Sequence, residues 1–406
     1  MSDLSNAAVL LRDLIRCSSV TPFEGGALSL LQHCLERLGF VVIRKIFGAP
    51  GTEKVENLYA RLGNRDPNLC FSGHIDVVPA GDLKTWVTDP FEAVVVEDKI
   101  IGRGAVDMKG GISCFVAAVE RFTINKKNMG SMGSISFLIT ADEEGPAING
   151  TAALLDWLVR KNEKIDACIV GEPTNRSVIG DTIKIGRRGS LSGTLTVNGI
   201  QGHTAYPDLA DNPVRGITTL IISLMTPPFD KGTKNFQATN LEVTSLDTDN
   251  HSFNMITQKA TALFNVRFND LWTVDTIKKE IDSRLITSSQ KKKYRSLIKN
   301  QAKEFIDFNV SYTEQSSPAF LTLDWELINT LTDAVEQVCG YRPALSTGGG
   351  TSDARFIKDL CPVVEFGLVS LTMHQINEQV SLTDLDLLTD IYAEFIRRYF
   401  ELRSSL

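Results

Sequence analysis

Apolar positions at helical spacing alternate along this chain with short apolar runs that end in glycine or a charged residue. Helical spacing predicts two amphipathic helices within residues 7–39, with Gly39 as a C-cap. Apolar runs predict strands from Val41 to Lys45, from Leu58 to Leu62 and over residues 69–71. Strands that alternate with helices in this way predict an α/β fold, with a mostly parallel sheet and helices on both faces.

The middle of the chain has a different order of elements. Its pattern is strand, helix, two strands and helix, at Leu191 to Val197, Pro213 to Leu224, Asn240 to Ser245, Thr261 to Arg267 and Val274 to Ile286. Apart from histidines, no candidate ligand follows these strands. We therefore predict an inserted α+β domain of ferredoxin-like type over residues 183–298. It would interrupt a discontinuous α/β domain formed by residues 1–182 and 299–406.

Composition narrows the class of protein. A length of 406 residues accommodates two domains, and a net charge of −7 argues against a general nucleic-acid binder, which needs a basic face. The only strong basic run, Lys291 to Arg295, is typical of a solvated helix end. No apolar run approaches the ~20 residues of a membrane span, and no signal peptide is evident, so we expect a cytoplasmic protein. The seven cysteines form no Cys-x-x-Cys pair and are interpreted as free thiols.

Polar residues follow the predicted strand over residues 69–71, in the segment Ser-Gly-His-Ile-Asp (72–76). His74 and Asp76 are two positions apart and would lie on one face of the strand. Imidazole is a common zinc ligand, and a carboxylate often fixes its tautomer and direction. Asp76 is positioned to do so for His74; the alternative is a capping histidine beside a turn aspartate.

Asp107 lies in the glycine-rich segment 102–111, immediately before a helical pattern of apolar residues. It is therefore expected in a strand-to-helix turn at the same edge of the sheet. Because a carboxylate has two oxygens, Asp107 could bridge two cations.

Three acids, Asp142, Glu143 and Glu144, follow the predicted buried strand over residues 134–140. Adjacent acids at a buried strand end repel one another unless a cation neutralises them. Consecutive side chains point in different directions, so one glutamate can bind metal while the other remains free as a base.

Two further strand ends carry candidate ligands, Glu172 before Pro173 and His374 in the loop after residues 363–367. Parallel sheets bind ligands at the carboxyl ends of their strands. Five candidates therefore converge, namely His74, Asp107, Glu144, Glu172 and His374. One catalytic zinc takes three protein ligands, whereas two ions that share Asp107 would use all five. The alternative is a set of unrelated loop residues.

The order of these motifs resembles that of a family of two-zinc metallopeptidases that includes aminoacylases, acetylornithine deacetylases, carboxypeptidases and succinyl-diaminopimelate desuccinylases. The resemblance covers nearly the whole chain. It implies two Zn²⁺ per subunit, with Co²⁺ possible in one site. By residue, it implies that His74 and Glu172 bind one ion, that Glu144 and His374 bind the other, that Asp107 bridges them, that Glu143 is the general acid/base and that Asp76 is the partner of His74.

Within the family, segments 184–190, 265–268 and 346–353 are similar to desuccinylases. This similarity implies hydrolysis of N-succinyl-LL-2,6-diaminopimelate to succinate and LL-2,6-diaminopimelate, in lysine and diaminopimelate biosynthesis. The substrate carries three carboxylates, which arginine binds bidentately. Arg188 and Arg267 are the expected contacts, with Arg187 as an alternative to Arg188; the alternative role for these arginines is a surface salt bridge.

The remaining substrate candidates are Thr347, Gly348 and Gly349, because a glycine run lets backbone N–H groups approach a ligand closely. His203 matches the family's lid histidine, which implies a homodimer through the inserted domain, with His203 stabilising the oxyanion in the neighbouring subunit's site. Tyr206, in the same segment, is a further substrate candidate. Two alternatives remain, another amidohydrolase of the family or a non-catalytic binding protein on the same scaffold. The second would be expected to lack Glu143 or a ligand, and neither is missing.

Overall fold

The computed structural model describes residues 4–125, 132–290 and 305–404. The helices are α1 (Asn6–Arg16), α2 (Ala27–Arg37), α3 (Lys109–Asn125), α4 (Thr151–Arg160), α5 (Pro213–Met225), α6 (Val274–Ser289), α7 (Trp325–Cys339), α8 (Ala354–Ile357) and α9 (Leu382–Ser404). The strands are β1 (Val41–Phe47), β2 (Val55–Leu62), β3 (Asn68–His74), β4 (Val94–Val96), β5 (Lys99–Ile101), β6 (Ser134–Thr140), β7 (Ala167–Val170), β8 (Thr182–Lys184), β9 (Gly186–Arg187), β10 (Gly189–Asn198), β11 (Gly202–His203), β12 (Asn240–Asp247), β13 (Met255–Ile256), β14 (Lys259–Phe268), β15 (Phe308–Tyr312), β16 (Phe320–Leu321), β17 (Ala344–Ser346), β18 (Val363–Glu365) and β19 (Gln379–Ser381). The basic run Lys291 to Arg295 lies outside the described residues.

The chain divides into two compact units. The first comprises Met1–Gly186, Leu321–Ser346 and Ser352–Leu406, and the second comprises Arg187–Phe320 and Thr347–Thr351. The second unit reaches Phe320, whereas the sequence predicted an insertion that ends at residue 298. The reason is that β15 pairs antiparallel with β10 and completes its sheet.

The first unit contains a mixed sheet in the order β1-β2-β6-β3-β7-β18-β8-β17. The central strands β6, β3, β7 and β18 are parallel, while β2 and β8 run antiparallel to their central neighbours. Helices lie on both sides of this sheet; α1, α7 and α9 belong to one packed group with α3, and α4 packs with α8. The predicted fold class is confirmed.

Aromatic packing fixes the strand that ends at His74. Every residue of β3 is buried. The ring of Phe71 stacks on Phe115 of α3 at 4.4 Å between centroids and contacts Tyr392 of α9 edge-on at 6.0 Å. The Tyr392 hydroxyl donates to the backbone carbonyl of Phe366, just after β18, at 2.6 Å. One core cluster thus holds the segments from which several candidate ligands project.

The second unit has a four-stranded antiparallel sheet in the order β12-β14-β10-β15. With α5 and α6 between the strands in the chain, this order is that of a ferredoxin-like fold. Side chains of β14 alternate between buried and exposed, as expected for a sheet with helices on one face only. No helix in the described ranges combines the length and apolar composition that a membrane span requires.

Candidate metal centre

Two contacts orient the imidazole of His74 at the end of β3. Its Nδ1 lies 2.9 Å from the backbone carbonyl of Asp76, and its Nε2 lies 3.1 Å from Oδ1 of Asp107. The carboxylate of Asp76 is more distant, with Oδ1 at 3.7 Å from Nδ1. The nearer acceptor for His74 is therefore the backbone carbonyl of Asp76, and not the carboxylate that the sequence suggested.

The Asp76 carboxylate instead binds the segment that carries the two glutamates. Oδ1 accepts from the backbone N–H of Glu143 at 3.3 Å, and Oδ2 accepts from that of Glu144 at 3.1 Å. Burial raises the pKa of Asp76 to about 6, although the charge of His74 and the two N–H donors favour its ionised form. Asp76 thus links two segments: its carboxylate accepts from the backbone of Glu143 and Glu144, and its backbone carbonyl orients the imidazole of His74.

Asp107 lies between two imidazoles. Its Oδ1 is 3.1 Å from Nε2 of His74, and its Oδ2 is 3.1 Å from Nε2 of His374. Burial disfavours ionisation of Asp107, but hydrogen bonds with His374 and His74 lower its pKa overall. Hydrogen bonds to Asp107 and then to Glu144 raise the pKa of His374 to about 10. Each carboxylate oxygen therefore faces a different imidazole nitrogen, an arrangement that would suit a carboxylate shared by two ions.

The remaining acids complete the cluster. Nε2 of His74 lies 3.8 Å from Oε1 of Glu172 and 4.0 Å from Oε2 of Glu143, and Nε2 of His374 lies 2.8 Å from Oε1 of Glu144. Burial and then the charge of Glu172 raise the pKa of Glu143 well above its ordinary value. The structure thus brings together all five predicted ligands and the predicted acid/base.

Glycines at two positions let other segments of the chain pack closely against the backbone of Gly171 and Glu172. A Cβ on Gly111 of α3 would lie 2.5 Å from the carbonyl oxygen of Gly171. A Cβ on Gly367 would lie 2.4 Å from the carbonyl oxygen of Glu172. Glycine at both positions therefore permits the close approach that sets the position of Glu172.

Sequence reasoning missed two residues of this region, Arg103 and Glu378. The Glu378 carboxylate is buried and accepts from Nη1 of Arg103 at 2.8 Å and from the backbone N–H of Asp107 at 3.1 Å. The available signal was a pair of opposite charges within the two loops that hold Asp107 and His374.

Asp142, the first of the three consecutive acids at residues 142–144, has a structural role. Its Oδ2 accepts from the backbone N–H groups of Ile148 and Asn149 at 2.9 Å.

The first group of substrate candidates lies in the second unit. Arg187 is buried, and its Nη1 donates to the backbone carbonyls of Gly350 at 3.0 Å and Gly348 at 3.5 Å. The Thr347 hydroxyl donates to the backbone carbonyl of Asn235 at 2.5 Å. Gly349 has a φ of 103°, which favours glycine. The guanidinium of Arg187 therefore supports the predicted glycine run by binding its backbone.

The other two arginines share one region of the second sheet. Nη1 of Arg188 donates to Oδ1 of Asn240 at 2.9 Å, and Asn240 and Ser190 both stand opposite Arg267 in the strand register. Residues directly opposite one another project from the same face of a sheet. Arg188 and Arg267 consequently present two cationic groups on the face that the helices leave open.

His203 and Tyr206 are exposed neighbours, also in the second unit. Nδ1 of His203 accepts from the backbone N–H of Ala205 at 3.0 Å, and the two rings are 5.8 Å apart between centroids. The tautomer with a proton on Nε2 is thus favoured, so Nε2–H is a potential donor of this exposed side chain.

The donor set at the sheet edge fits divalent metal ions. Ligand atoms of His74, Asp107 and Glu144 lie within 4.8 Å of one another, as do those of His74, Glu143 and Glu172. Imidazole nitrogens and carboxylate oxygens suit zinc and neighbouring transition metals. With this donor set and with Glu143 beside it, the fold and the site are those of a metal-dependent hydrolase.

Comparison with known proteins identifies the family. Residues 70–398 match the model of peptidase family M20/M25/M40, so the chain belongs to this family. Human carnosine dipeptidase 1 has 18% sequence identity and a TM-score of 0.73, with 97% of this chain and 96% of that chain covered. The metallo-carboxypeptidase Sso-CP2 of Sulfolobus solfataricus has 17% identity and a TM-score of 0.77, with coverage of 98% and 100%. The YXEP protein of Bacillus subtilis, a dinuclear metal-binding peptidase, has 14% identity and a TM-score of 0.65, with coverage of 97% and 98%.

Proposed function

We propose that this chain hydrolyses the amide bond of N-succinyl-LL-2,6-diaminopimelate, releasing succinate and LL-2,6-diaminopimelate, as a step of lysine and diaminopimelate biosynthesis. The observation that carries the reaction type is the position of Glu143 beside a cluster of two histidines and three carboxylates. The sequence resemblance to desuccinylases, together with Arg188 and Arg267 on one open sheet face, supports the substrate. Guanidinium groups bind carboxylates bidentately, and this substrate carries three of them.

The proposed metal ligands follow from the pairing in the cluster. His74 and Glu172 would hold one zinc ion, and Glu144 and His374 would hold the other. Asp107 would bridge them, since each of its oxygens faces a different histidine at 3.1 Å. When bound, the ions would lower the pKa of a water molecule towards ~7 and polarise the amide carbonyl. Co²⁺ accepts the same nitrogen and oxygen donors and is the alternative ion for one site.

Glu143 would move the proton in this reaction. Its carboxylate takes a proton from the attacking water and then gives it to the nitrogen of the departing amine, which leaves poorly unless it is protonated. Burial and the nearby charge of Glu172 raise the pKa of Glu143, which favours a group that alternates between the two protonation states. The carboxylate of Asp76 holds Glu143 in place by accepting from the backbone N–H of Glu143. His203 would stabilise the oxyanion through the N–H on Nε2.

A homodimer through the second unit is part of this proposal. The exposure of His203 supports its use by a neighbouring subunit. Among the described strands, β12 lies at one edge of its four-stranded sheet, a position that suits pairing with a second copy. Mixing His203→Ala and Glu143→Gln chains after subunit exchange should restore part of the activity that each variant lacks. Lack of restoration in a confirmed mixed dimer would contradict the shared site.

The proposed compartment is the cytoplasm. All seven cysteines are free thiols, and four of them, Cys70, Cys114, Cys168 and Cys361, are buried. Scattered free cysteines are typical of proteins in a reducing compartment.

The decisive experiment compares three substrates of the zinc-loaded protein: N-succinyl-LL-2,6-diaminopimelate, N-acetyl-L-ornithine and carnosine. We expect the succinyl compound to have the highest kcat/KM. Arg267→Lys keeps the charge but loses bidentate geometry, so its KM for the succinyl compound should rise more than its kcat falls. Faster hydrolysis of either other substrate would assign the chain to a different activity of the family, and no hydrolysis of any would favour the binding-protein alternative.

A further inference from the structure

The two oxygens of the buried Glu378 side chain receive hydrogen bonds from one short segment of the chain. Oε1 accepts from the backbone N–H groups of Val106 at 2.8 Å and Asp107 at 3.1 Å. Oε2 accepts from the backbone N–H of Gly104 at 2.9 Å and from Nη1 of Arg103 at 2.8 Å. A carboxylate with no exposed surface is costly unless donors satisfy it, and these four donors do so. The same contacts fix the backbone on the amino side of Asp107.

Glu378 also belongs to the loop that carries His374. Nη1 of Arg103 donates to the backbone carbonyl of Gln375 at 3.1 Å, and the backbone N–H of Gly102 donates to the carbonyl of Glu378 at 2.9 Å. Strand β19 begins immediately after Glu378 and pairs antiparallel with β5, which places the two loops side by side. Contacts around one carboxylate therefore join the segment before Asp107 to the segment after His374.

The His374 loop needs such contacts because part of its backbone is strained. His374 and Asn377 have φ values of 62° and 61°, in the left-handed region. For residues other than glycine this conformation is uncommon, and contacts with the surroundings help to hold it. The Asn377 side chain accepts from the backbone N–H of Val87 at 2.8 Å, and Glu378 anchors the next position. These contacts therefore hold the backbone on the carboxyl side of His374.

We propose that Glu378 is a positioning residue of the metal centre, which fixes Asp107 relative to His374 through Arg103 and three backbone N–H groups. We call Glu378, Arg103 and these N–H groups the Glu378 clamp. The clamp binds neither substrate nor metal. Asp107 faces both histidines, so a displaced Asp107 weakens both metal sites together. The inference rests on the proposed two-metal centre and is independent of which amide is hydrolysed.

The test measures Zn²⁺ affinity of the full chain by competition with a chromophoric chelator, in the absence of substrate. Glu378→Gln replaces one acceptor oxygen with an N–H₂ group, so one pair of donors would lose its partner. Removal of a group that supports metal ligands typically lowers metal affinity roughly 10- to 100-fold, and we expect a loss in this range. Hydrogen exchange in the metal-free protein should also become faster in peptides that cover residues 102–108.

Asp230→Asn is the matched control. The Asp230 carboxylate also accepts four hydrogen bonds, from the backbone N–H groups of Gly232 and Thr239 and from the side chains of Asn269 and Trp272. It lies in the second unit, which contains none of the proposed metal ligands. Asp230→Asn should therefore keep the zinc affinity of the wild type even if it loses a similar amount of stability.

Two results would overturn the positioning role. The first is Glu378→Gln with wild-type zinc affinity at both sites, and the second is an equal loss of affinity in Asp230→Asn. If Glu378→Gln does not fold, Arg103→Lys replaces it, because an ammonium group cannot span Glu378 and the carbonyl of Gln375 as a guanidinium does. It should show the same two changes. Wild-type protein that binds zinc but does not cleave the succinyl amide would contradict the proposed function alone.

Discussion

The carboxylate of Asp76 accepts the backbone N–H of Glu144 at 3.1 Å, so one buried side chain orients the segment that holds both glutamates of the site. The backbone carbonyl of the same residue accepts from Nδ1 of His74 at 2.9 Å. Asp76 therefore positions a proposed ligand on each side of it. Its role combines a side-chain contact with a backbone contact, and only the first can be removed by mutation.

Asp76→Asn should lower hydrolysis and zinc affinity by roughly 10- to 100-fold, because an amide has one acceptor oxygen for the two N–H donors of Glu143 and Glu144. Steady-state kinetics and chelator competition measure the two effects. Asp142→Asn is the control: only Oδ2 of Asp142 accepts hydrogen bonds, so an amide oxygen can keep both. An equal loss of hydrolysis and zinc affinity in the two variants would show that the effect of Asp76→Asn is not specific to the contacts of Asp76.

Glu143→Gln and Glu144→Gln separate the proposed base from the proposed ligand. The first should lower kcat by about 10²- to 10⁴-fold, the usual contribution of a general acid/base, while two zinc ions remain bound. The second should lose one ion, because Glu144 is 2.8 Å from Nε2 of His374. Metal analysis after gel filtration, together with kcat, distinguishes them. The reverse pattern would exchange the two roles.

Gly111→Ala should weaken the metal site proposed for His74 and Glu172. The added Cβ would lie 2.5 Å from the carbonyl oxygen of Gly171, so the backbone before Glu172 must shift. Zinc titration should then show one weakened and one nearly normal site. If both sites keep their affinity, the helix and the Gly171 segment can separate without moving Glu172.

The Asp230 carboxylate makes the second unit sensitive to acid. Partial burial alone would raise its pKa, but hydrogen bonds from Thr239, Trp272 and the backbone lower it to about 2, below the ordinary value of 3.8. Its contribution to the free energy of unfolding is therefore complete above pH 3.8 and is lost as the pH falls towards 2. Allowing for solvent screening, we expect about 1 kcal/mol at neutral pH.

Guanidinium unfolding of wild type and Asp230→Asn at several pH values between neutral and 3 tests this expectation. The stability difference between the two proteins should shrink steadily below pH 3.8. A difference that stays constant over this range would show that the charge on Asp230 contributes nothing to folding.

The sequence predicted those helices and strands whose signals lie within a few neighbouring residues. The helix expected from Pro213 to Leu224 is observed over Pro213–Met225, because its apolar stripe and its Asn212 cap lie within a few residues of one another. The strand Phe308–Tyr312 was not predicted as an element, and the predicted boundary at residue 298 left it outside the inserted domain whose sheet it completes. Its partner, Gly189–Asn198, is far away in the chain, and alternation alone does not identify a partner.

The same distinction separates the proposed ligands from the residues that contact and position them. His74 and Glu172 could be predicted as candidates because each lies at the carboxyl end of a strand of the parallel part of the sheet. Arg103 and Glu378 could not, because their contact depends on the paths of two irregular loops. For a related reason, sequence spacing places Asp76 near His74 but does not show that its carbonyl oxygen, at 2.9 Å, is closer to Nδ1 than its carboxylate, at 3.7 Å.

The Glu378 clamp also has a consequence for synthesis of the protein. Arg103 and Glu378 are 275 positions apart. A ribosome that adds about 5–20 residues per second needs roughly 15 to 55 seconds to travel this distance. During that interval the nascent chain already contains His74 and Asp107 but lacks both His374 and the carboxylate that anchors the segment before Asp107. The proposed two-metal centre can therefore be loaded only after His374 and Glu378 have been translated.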